Sequence, residues 1–440
     1  MYKFLVLIAM FSVFFVAGCD ETQDAFVDDI LDPEMSKYVA IGDSLTAGVQ
    51  SDGIVRDFQK NSFPALIAKQ MGIDNFEQPI VDSPGIGFEP GKTPIMFMNG
   101  EIFRNDLDVD EFDLLSNFFL TRPYDNLGLP GAEIVDVAST TMLLFEVVLR
   151  GLGTQLEQAI SLDPELITLW IGGNDVLGSA KAGGDFSKIS STENFESEYR
   201  DILMQLSNKT DAMIVTANLP NVADISFVIF LDRVFRTVPE LEIMTPVPVI
   251  FDEDFNPIDF GDGLFIPILT QEDNVEHLTQ AALNSYRNGT GIPDEAALMD
   301  MGFTMMEASD IVVKMEMFGL SPSGTELAGD LTLTFDEGDV IQEAVESFNS
   351  VISNVAGEFG VPVVNINEAL MRLNSEGIDG FTSDFVLIDP VNTAYSLDGI
   401  HPNDAGYGII ANLFIEKINE AFDMNIPLID TEQFRGQYSN

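Results

Sequence analysis

From Lys37 onward the chain alternates short apolar runs with stretches whose apolar residues recur every three or four positions. Lys37 to Ile41 predicts a strand ending in Gly-Asp-Ser, and Phe63 to Met71 a helix capped by Ser62 and stopped by Gly72. Glu133 to Val137 predicts a second strand. Thr154 and Glu157 make a capping box that opens a helix through Ile160, and the apolar run Leu166 to Ile171 follows as a strand. Phe195, Tyr199, Ile202, Leu203 and Leu206 share one helical face, and Met213 to Thr216 reads as a buried strand. Later, Val340, Ile341, Ala344, Val345, Phe348, Val351, Ile352 and Val355 trace a long amphipathic helix stopped by Gly360. Val361 to Ile366 predicts a strand, and a closing helix runs from about Asp404 to Phe422. Strands alternating with helices predict a parallel sheet covered on both faces, an α/β three-layer sandwich.

Two stretches break the alternation. Residues 82–120 are rich in Gly, Pro and Phe without a period, and residues 223–338 carry a Pro-rich zone followed by acidic turns. Both are too long for plain loops and are expected to be structured insertions. Within the second, Phe227, Val228, Ile229, Phe230, Leu231, Val234 and Phe235 are joined by Met299, Met301, Met305, Met306, Met315 and Met317. They would form either an acyl-binding cap or the insertion's own core. Asp252, Asp254 and Asn256 begin like a calcium loop, but Pro257 replaces the required Gly and Gly263 the terminal Glu, which excludes an EF-hand.

The N-terminus has a different character. Lys3 precedes the apolar run Phe4 to Val16, which ends in Ala17-Gly18-Cys19. This is the build of a secretory signal, too short for a comfortable membrane span. The ending Val16-Ala17-Gly18-Cys19 resembles the lipobox of bacterial lipoproteins, which implies a signal peptide over 1–18 and lipidation of Cys19. Cys19 is the chain's one cysteine, so no intrachain disulfide competes for it. Residues 19–36 read as an acidic tether, 37–424 as the folded domain with its two insertions, and 425–440 as a C-terminal tail. The expected location is exported and lipid-anchored to the bacterial cell envelope, at the outer membrane or cell surface.

Composition narrows the partners. With 72 acidic against 20 basic residues the net charge is -52, so a nucleic-acid backbone would be repelled. Adaptation to a salty medium and calcium binding at scattered acidic loops both remain open as sources of that acidity. A hydrophobic content of 46% is ample for a large core.

Candidate chemistry is concentrated in few residues. The two histidines are His277 and His401. His277, in Val275-Glu276-His277-Leu278, reads as a surface or packing position inside the insertion. His401 lies in Asp398-Gly399-Ile400-His401-Pro402, where an Asp three positions earlier can fold back to orient the ring and stabilise its protonated form. Ser44, in Ile41-Gly42-Asp43-Ser44-Leu45, stands where the first strand meets a helix. It would be either a nucleophile at the carboxyl edge of the sheet or a plain helix cap. Ile171-Gly172-Gly173-Asn174-Asp175 ends another strand, where Asn174 could face a developing oxyanion or make a turn. Asn126-Leu127-Gly128-Leu129-Pro130-Gly131 offers a backbone N–H at Gly131, with Gly128 as the alternative.

Together these four segments, in this order, resemble the SGNH/GDSL hydrolase family over roughly 37–81, 121–222 and 340–424. The resemblance implies a flavodoxin-like three-layer α/β/α sandwich with a parallel sheet, carrying a large insertion. It implies a serine ester hydrolase of the lipase/esterase type with Ser44 as nucleophile, His401 as base and Asp398 orienting it. The oxyanion hole would comprise the N–H groups of Ser44 and Gly131 and the Asn174 side chain. No metal and no cofactor is expected. Partners would be a small-molecule or lipid ester and, through Cys19, a membrane. A polysaccharide O-acetyl esterase using the same triad is the alternative, and a non-catalytic surface-binding lipoprotein is the alternative of another class. A closed apolar channel would favour lipid, and open polar surroundings sugar.

Overall fold

Tyr38–Gly42 (β1), Leu166–Trp170 (β2), Met213–Ala217 (β3) and Val363–Val364 (β4) lie side by side in that order in one parallel sheet. The structure, a computed structural model, describes residues 36–438 apart from 99–100, 140–145, 226–234, 237–246, 249–268, 272–274, 279–281, 283–284, 286–287, 318–319, 385 and 387–388. The expectations for residues 1–35, including Cys19, fall outside the described residues, as do the acidic stretch 252–263 and the apolar run from Phe227 to Val234.

On the free edge of β1, Asn126 bridges to Ala40 in parallel, with Leu127 and Leu129 donating to the carbonyls of Ala40 and Gly42. That segment occupies the place of a fifth strand and completes the flavodoxin order 2-1-3-4-5. Alternate residues of each strand enter opposite cores, as the two-residue period of a strand requires. Val39, Ile41, Ile167, Leu169 and Ile214 face one side. There they meet Phe195, Tyr199 and Ile202 of the helix Thr192–Lys209, and Phe348 and Ile352 of the helix Phe335–Phe359. Tyr38, Ala40, Trp170, Val215 and Val364 face the other side, against the helices Phe63–Gln70 and Asp404–Phe422. Phe63 and Phe414 stack there at 4.9 Å between ring centres. The result is the expected three-layer α/β/α sandwich.

The local punctuation works as read. Ser62 Oγ accepts the Ala65 N–H at the head of Phe63–Gln70, Thr154 and Glu157 form their reciprocal box, and Gly360 closes Phe335–Phe359 in the left-handed conformation.

Two expectations are corrected. Glu133 to Val137 is not a strand, because Ile134–Ala138 winds into a short 3-10 turn. Glu133 and Asp136 cap it reciprocally, and Ile134 and Val137, three apart, are the buried pair while Val135 is exposed. Val361 to Ile366 pairs only at Val363–Val364, because Asn365 Oδ1 accepts the Glu368 N–H and starts the helix Ile366–Ser375.

In the second insertion, Met315 is fully buried in a small core with Ile292, Leu298, Ala308 and Ile311. Met299, Met305 and Met306 are exposed and take no part in it. His277 lies on the strand Val275–Leu278 and pairs with Leu333 in a separate two-stranded sheet. No helix among the described residues is long and apolar enough to cross a membrane.

Candidate active site

The register of the sheet places the site. Gly42 ends β1 directly opposite Trp170, the last residue of β2, so the segments leaving both strands emerge at one rim. Gly42 must be glycine, since a Cβ there would stand 2.3 Å from the Trp170 carbonyl oxygen and 2.2 Å from Thr46 Oγ1. Asp43 then caps the four-residue helix Ser44–Ala47, its Oδ1 accepting the Leu45 N–H at 2.9 Å. Ser44 heads that turn, where backbone N–H groups have no partner within the helix. Burial lifts the Asp43 carboxyl to about 6, against the pull of the Leu45 N–H and the neighbouring His401.

His401 reaches this rim from the far end of the chain. Its Nε2 lies 2.9 Å from Ser44 Oγ and its Nδ1 lies 2.8 Å from Asp398 Oδ2. An ionised carboxylate only accepts, so the Nδ1 position carries the ring proton and Nε2 is left to accept from the Ser44 hydroxyl. Asp398 is held by further donors. Its Oδ1 accepts the N–H groups of Ile400 and His401, both at 2.8 Å, and the Ser396 hydroxyl at 3.2 Å. Its Oδ2 also accepts the Asp52 N–H at 2.6 Å. Burial alone would raise this carboxyl, but the facing His401 and the hydrogen bonds from His401 and Ile400 bring it down to about 2. Gly399 turns the loop with φ of 68° so that Asp398 and His401 fold back on each other. Asn403 caps the closing helix behind them, and Tyr407 on that helix donates to the Val49 carbonyl at 2.7 Å.

Asn174 joins them from the end of β2. Its Nδ2 donates to the Ala132 carbonyl at 2.9 Å and, over a longer 3.4 Å, to Asp43 Oδ2. The first bond ties the 126–131 segment to the rim. Gly128 is unavailable for chemistry: its N–H goes to Asn126 Oδ1, and it packs so closely on Ser44–Ala47 that a Cβ would lie 2.3 Å from the Ala47 nitrogen. Gly131 is exposed with φ of 82° and does not line the cavity next to Ser44. Ser44, Asn174, Asp398 and His401 are thus brought together, and Gly131 lies one residue from the anchored Ala132.

Sequence reasoning missed Ser51, Asp52, Ser396 and Arg104. Ser51 donates its N–H to Ser396 Oγ at 2.8 Å, and Arg104, from the first insertion, pairs with the Asp52 carboxylate. Nothing in the local sequence marks them, because the contacts join segments distant along the chain.

A cavity of about 60 Å³ opens beside Ser44 and His401, walled by Leu45, Trp170, Leu177, Leu219, Val222 and Ile400 among others. Among the described residues, no group of three or more His, Cys, Asp or Glu is arranged to hold a metal ion. The arrangement can deliver a hydroxyl oxygen as nucleophile, take up its proton, and present N–H donors beside an apolar wall.

Residues 38–257 match the family described as GDSL-like Lipase/Acylhydrolase. Among curated proteins none matches the chain. The chain is similar to several solved structures. One is an alpha/beta hydrolase enzyme from the metagenome of Lake Arreo, Spain, at 13% identity over 89% of this chain and 96% of that one, with a TM-score of 0.37. Another is a Clostridium thermocellum family 3 carbohydrate esterase, at 13% identity over 88% and 97%, with a TM-score of 0.34. A third is an acetylxylan esterase from Geobacillus stearothermophilus, at 11% identity over 88% and 96%, with a TM-score of 0.37.

Proposed function

Because the chain belongs to the GDSL-like lipase/acylhydrolase family and is a carboxylic ester hydrolase, we propose that it cleaves acyl esters with Ser44 as nucleophile, His401 as base and Asp398 as its orienting partner. The observation that carries this reading is the unbroken hydrogen-bonded line from Ser44 Oγ through the His401 ring to Asp398.

In the first half-reaction Ser44 Oγ attacks the ester carbonyl carbon while His401 Nε2 takes the hydroxyl proton. The imidazolium that forms is stabilised by Asp398, whose carboxylate stays ionised. Negative charge on the carbonyl oxygen is met by the Ser44 N–H and the Asn174 amide. The long contact from Asn174 to Asp43 is the one the oxyanion replaces, while the bond to Ala132 keeps the side chain aimed. His401 then protonates the leaving alcohol. Water attacks the acyl-Ser44 ester by the same route, giving up a proton to His401, and the acid leaves as Ser44 recovers its hydrogen. A non-catalytic binding role has no use for this proton path.

The test is hydrolysis of an activated ester by the wild type and by Ser44→Ala. Turnover that disappears in the variant supports the reading, and equal rates in both remove it. The same substrates presented with an added alcohol separate hydrolysis from acyl transfer.

The N-terminal sequence extends the proposal to location: the chain is exported and anchored in the cell envelope by lipid on Cys19. Metabolic labelling with a tagged fatty acid tests this. Label on the wild type that Cys19→Ala loses supports the anchor, and label retained by that variant contradicts it.

A further inference from the structure

A second cavity, of about 90 Å³, lies behind the catalytic rim. It shares five wall residues with the cavity beside Ser44, namely Leu45, Trp170, Pro220, Ile225 and Ile400. Beyond them it runs between Ala369, Leu370 and Leu373 of the helix Ile366–Ser375 and Ile409, Ile410 and Leu413 of the helix Asp404–Phe422. Among the described residues, not one lining it is charged, in a chain with 72 acidic side chains.

The walls of this space are almost wholly apolar. A sugar would lose its hydrogen bonds with water in such a space and find almost no polar partner. An alkyl chain loses nothing of the kind.

We infer that the two cavities form one channel for the acyl chain of the substrate, and that the enzyme is a medium-chain acyl ester hydrolase. This inference rests on the Ser44 reading. With the carbonyl carbon at Ser44 Oγ, the acyl tail passes between Leu45 and Ile400 into the inner cavity, and the alcohol leaves past His401. An apolar cavity of about 150 Å³ accepts a six-carbon ring. The outer and inner spaces, about 60 and 90 Å³, therefore suit an acyl chain of about four to eight carbons. Acetyl leaves the inner space empty, and palmitoyl overruns it.

The experiment measures kcat/KM on p-nitrophenyl acetate, butyrate, hexanoate, octanoate and palmitate for wild type, Ser44→Ala and Ala369→Phe. Ala369 lines the inner cavity only, so the added ring plugs the channel away from Ser44. The expected wild-type profile peaks between butyrate and octanoate, about tenfold or more above both acetate and palmitate. In Ala369→Phe the octanoate-to-acetate ratio falls by about tenfold or more. Should that variant not fold, straight-chain alkylboronic acids, which add to a nucleophilic serine, replace it with the wild type. Their affinity is expected to rise with chain length up to about six carbons and then stop.

A profile that depends on Ser44 but is flat, or that peaks at acetate or palmitate, overturns the acyl channel and leaves the Ser44 reading standing. Hydrolysis that is the same in wild type and Ser44→Ala overturns both.

Discussion

The backbone N–H of Asp52 donates to Asp398 Oδ2 at 2.6 Å across 346 positions of sequence. The same oxygen accepts the His401 Nδ1–H, so the loop after Ser44 helps hold the carboxylate that faces the His401 ring. The loop adopts an uncommon shape to do this: Ser51 and Asp52 both have positive φ, 54° and 52°, which costs about 1–3 kcal/mol for each non-glycine residue. Arg104 secures it, bonding both the carboxylate and the carbonyl of Asp52.

On the proposed mechanism, Arg104 is a positioning residue. Arg104→Ala is expected to lower kcat/KM about tenfold, since a charge-assisted hydrogen bond contributes about 1.5–3 kcal/mol and only part of it reaches Asp398. Arg104→Lys restores part of the loss, and KM barely moves. Steady-state kinetics on the two variants checks this, with equal activity of wild type and Arg104→Ala counting against the coupling.

Asp398→Asn is expected to cost on the order of 10⁴ in kcat. Asp398 now accepts five hydrogen bonds, and an amide group cannot accept on its nitrogen side. Turning that amide toward His401 would move the ring proton to Nε2, where it blocks acceptance from Ser44. A residual rate within tenfold of wild type would mean that Asp398 does not control the ring.

Asn174→Ala is expected to lower kcat by about 10²–10³ through loss of one oxyanion donor. KM should change little, because the ground-state ester carbonyl gains less from that donor than the oxyanion does. A variant that raises KM with kcat intact would place Asn174 in binding instead.

Stability should fall as pH rises from about 4 to 7. Burial raises Asp43 and Asp404 to about 6 and Asp175 to about 7, from an ordinary value of 3.8. In that window the fold retains protons that the unfolded chain has released, so ionisation favours unfolding until the folded values are passed. Asp398 acts in the opposite sense but lower, contributing stability above its ordinary value that is lost as pH falls toward about 2. Denaturant titrations in about 0.5 M salt, which screens the surface charge, should show stability declining steadily from pH 4.5 to 7.5. Asp175→Asn should make the decline shallower by a little under half, Asp43 and Asp404 carrying the rest. An unchanged slope in that variant would contradict the burial account.

The parts legible in the sequence are those whose structural reason is local. Ser44, Asn174 and His401 each stand where a strand ends or a helix begins, and Asp398 is one turn from His401, so spacing and order single out residues that the fold brings to one rim. Phe195 through Leu206 declared their buried face by period alone. Ile134–Ala138 was misread because two carboxylates, Glu133 and Asp136, cap a turn that apolar patterning presents as a strand. The helix Ile366–Ser375 was missed because Asn365 starts it straight after a two-residue strand. Missing it hid the wall of the inner cavity. Asp52, Ser396 and Arg104 belong to a cage whose contacts from Arg104 to Asp52, Ser51 to Ser396 and Asp52 to Asp398 span 52, 345 and 346 positions, for which no spacing rule exists.

The most direct measurement of the central claim is reaction with a fluorophosphonate, followed by mapping of the modified peptide. The account predicts a single adduct on Ser44 in the wild type, slowed by several orders of magnitude in His401→Ala. A wild type that stays unmodified, or an adduct on another serine with Ser44 untouched, would contradict it.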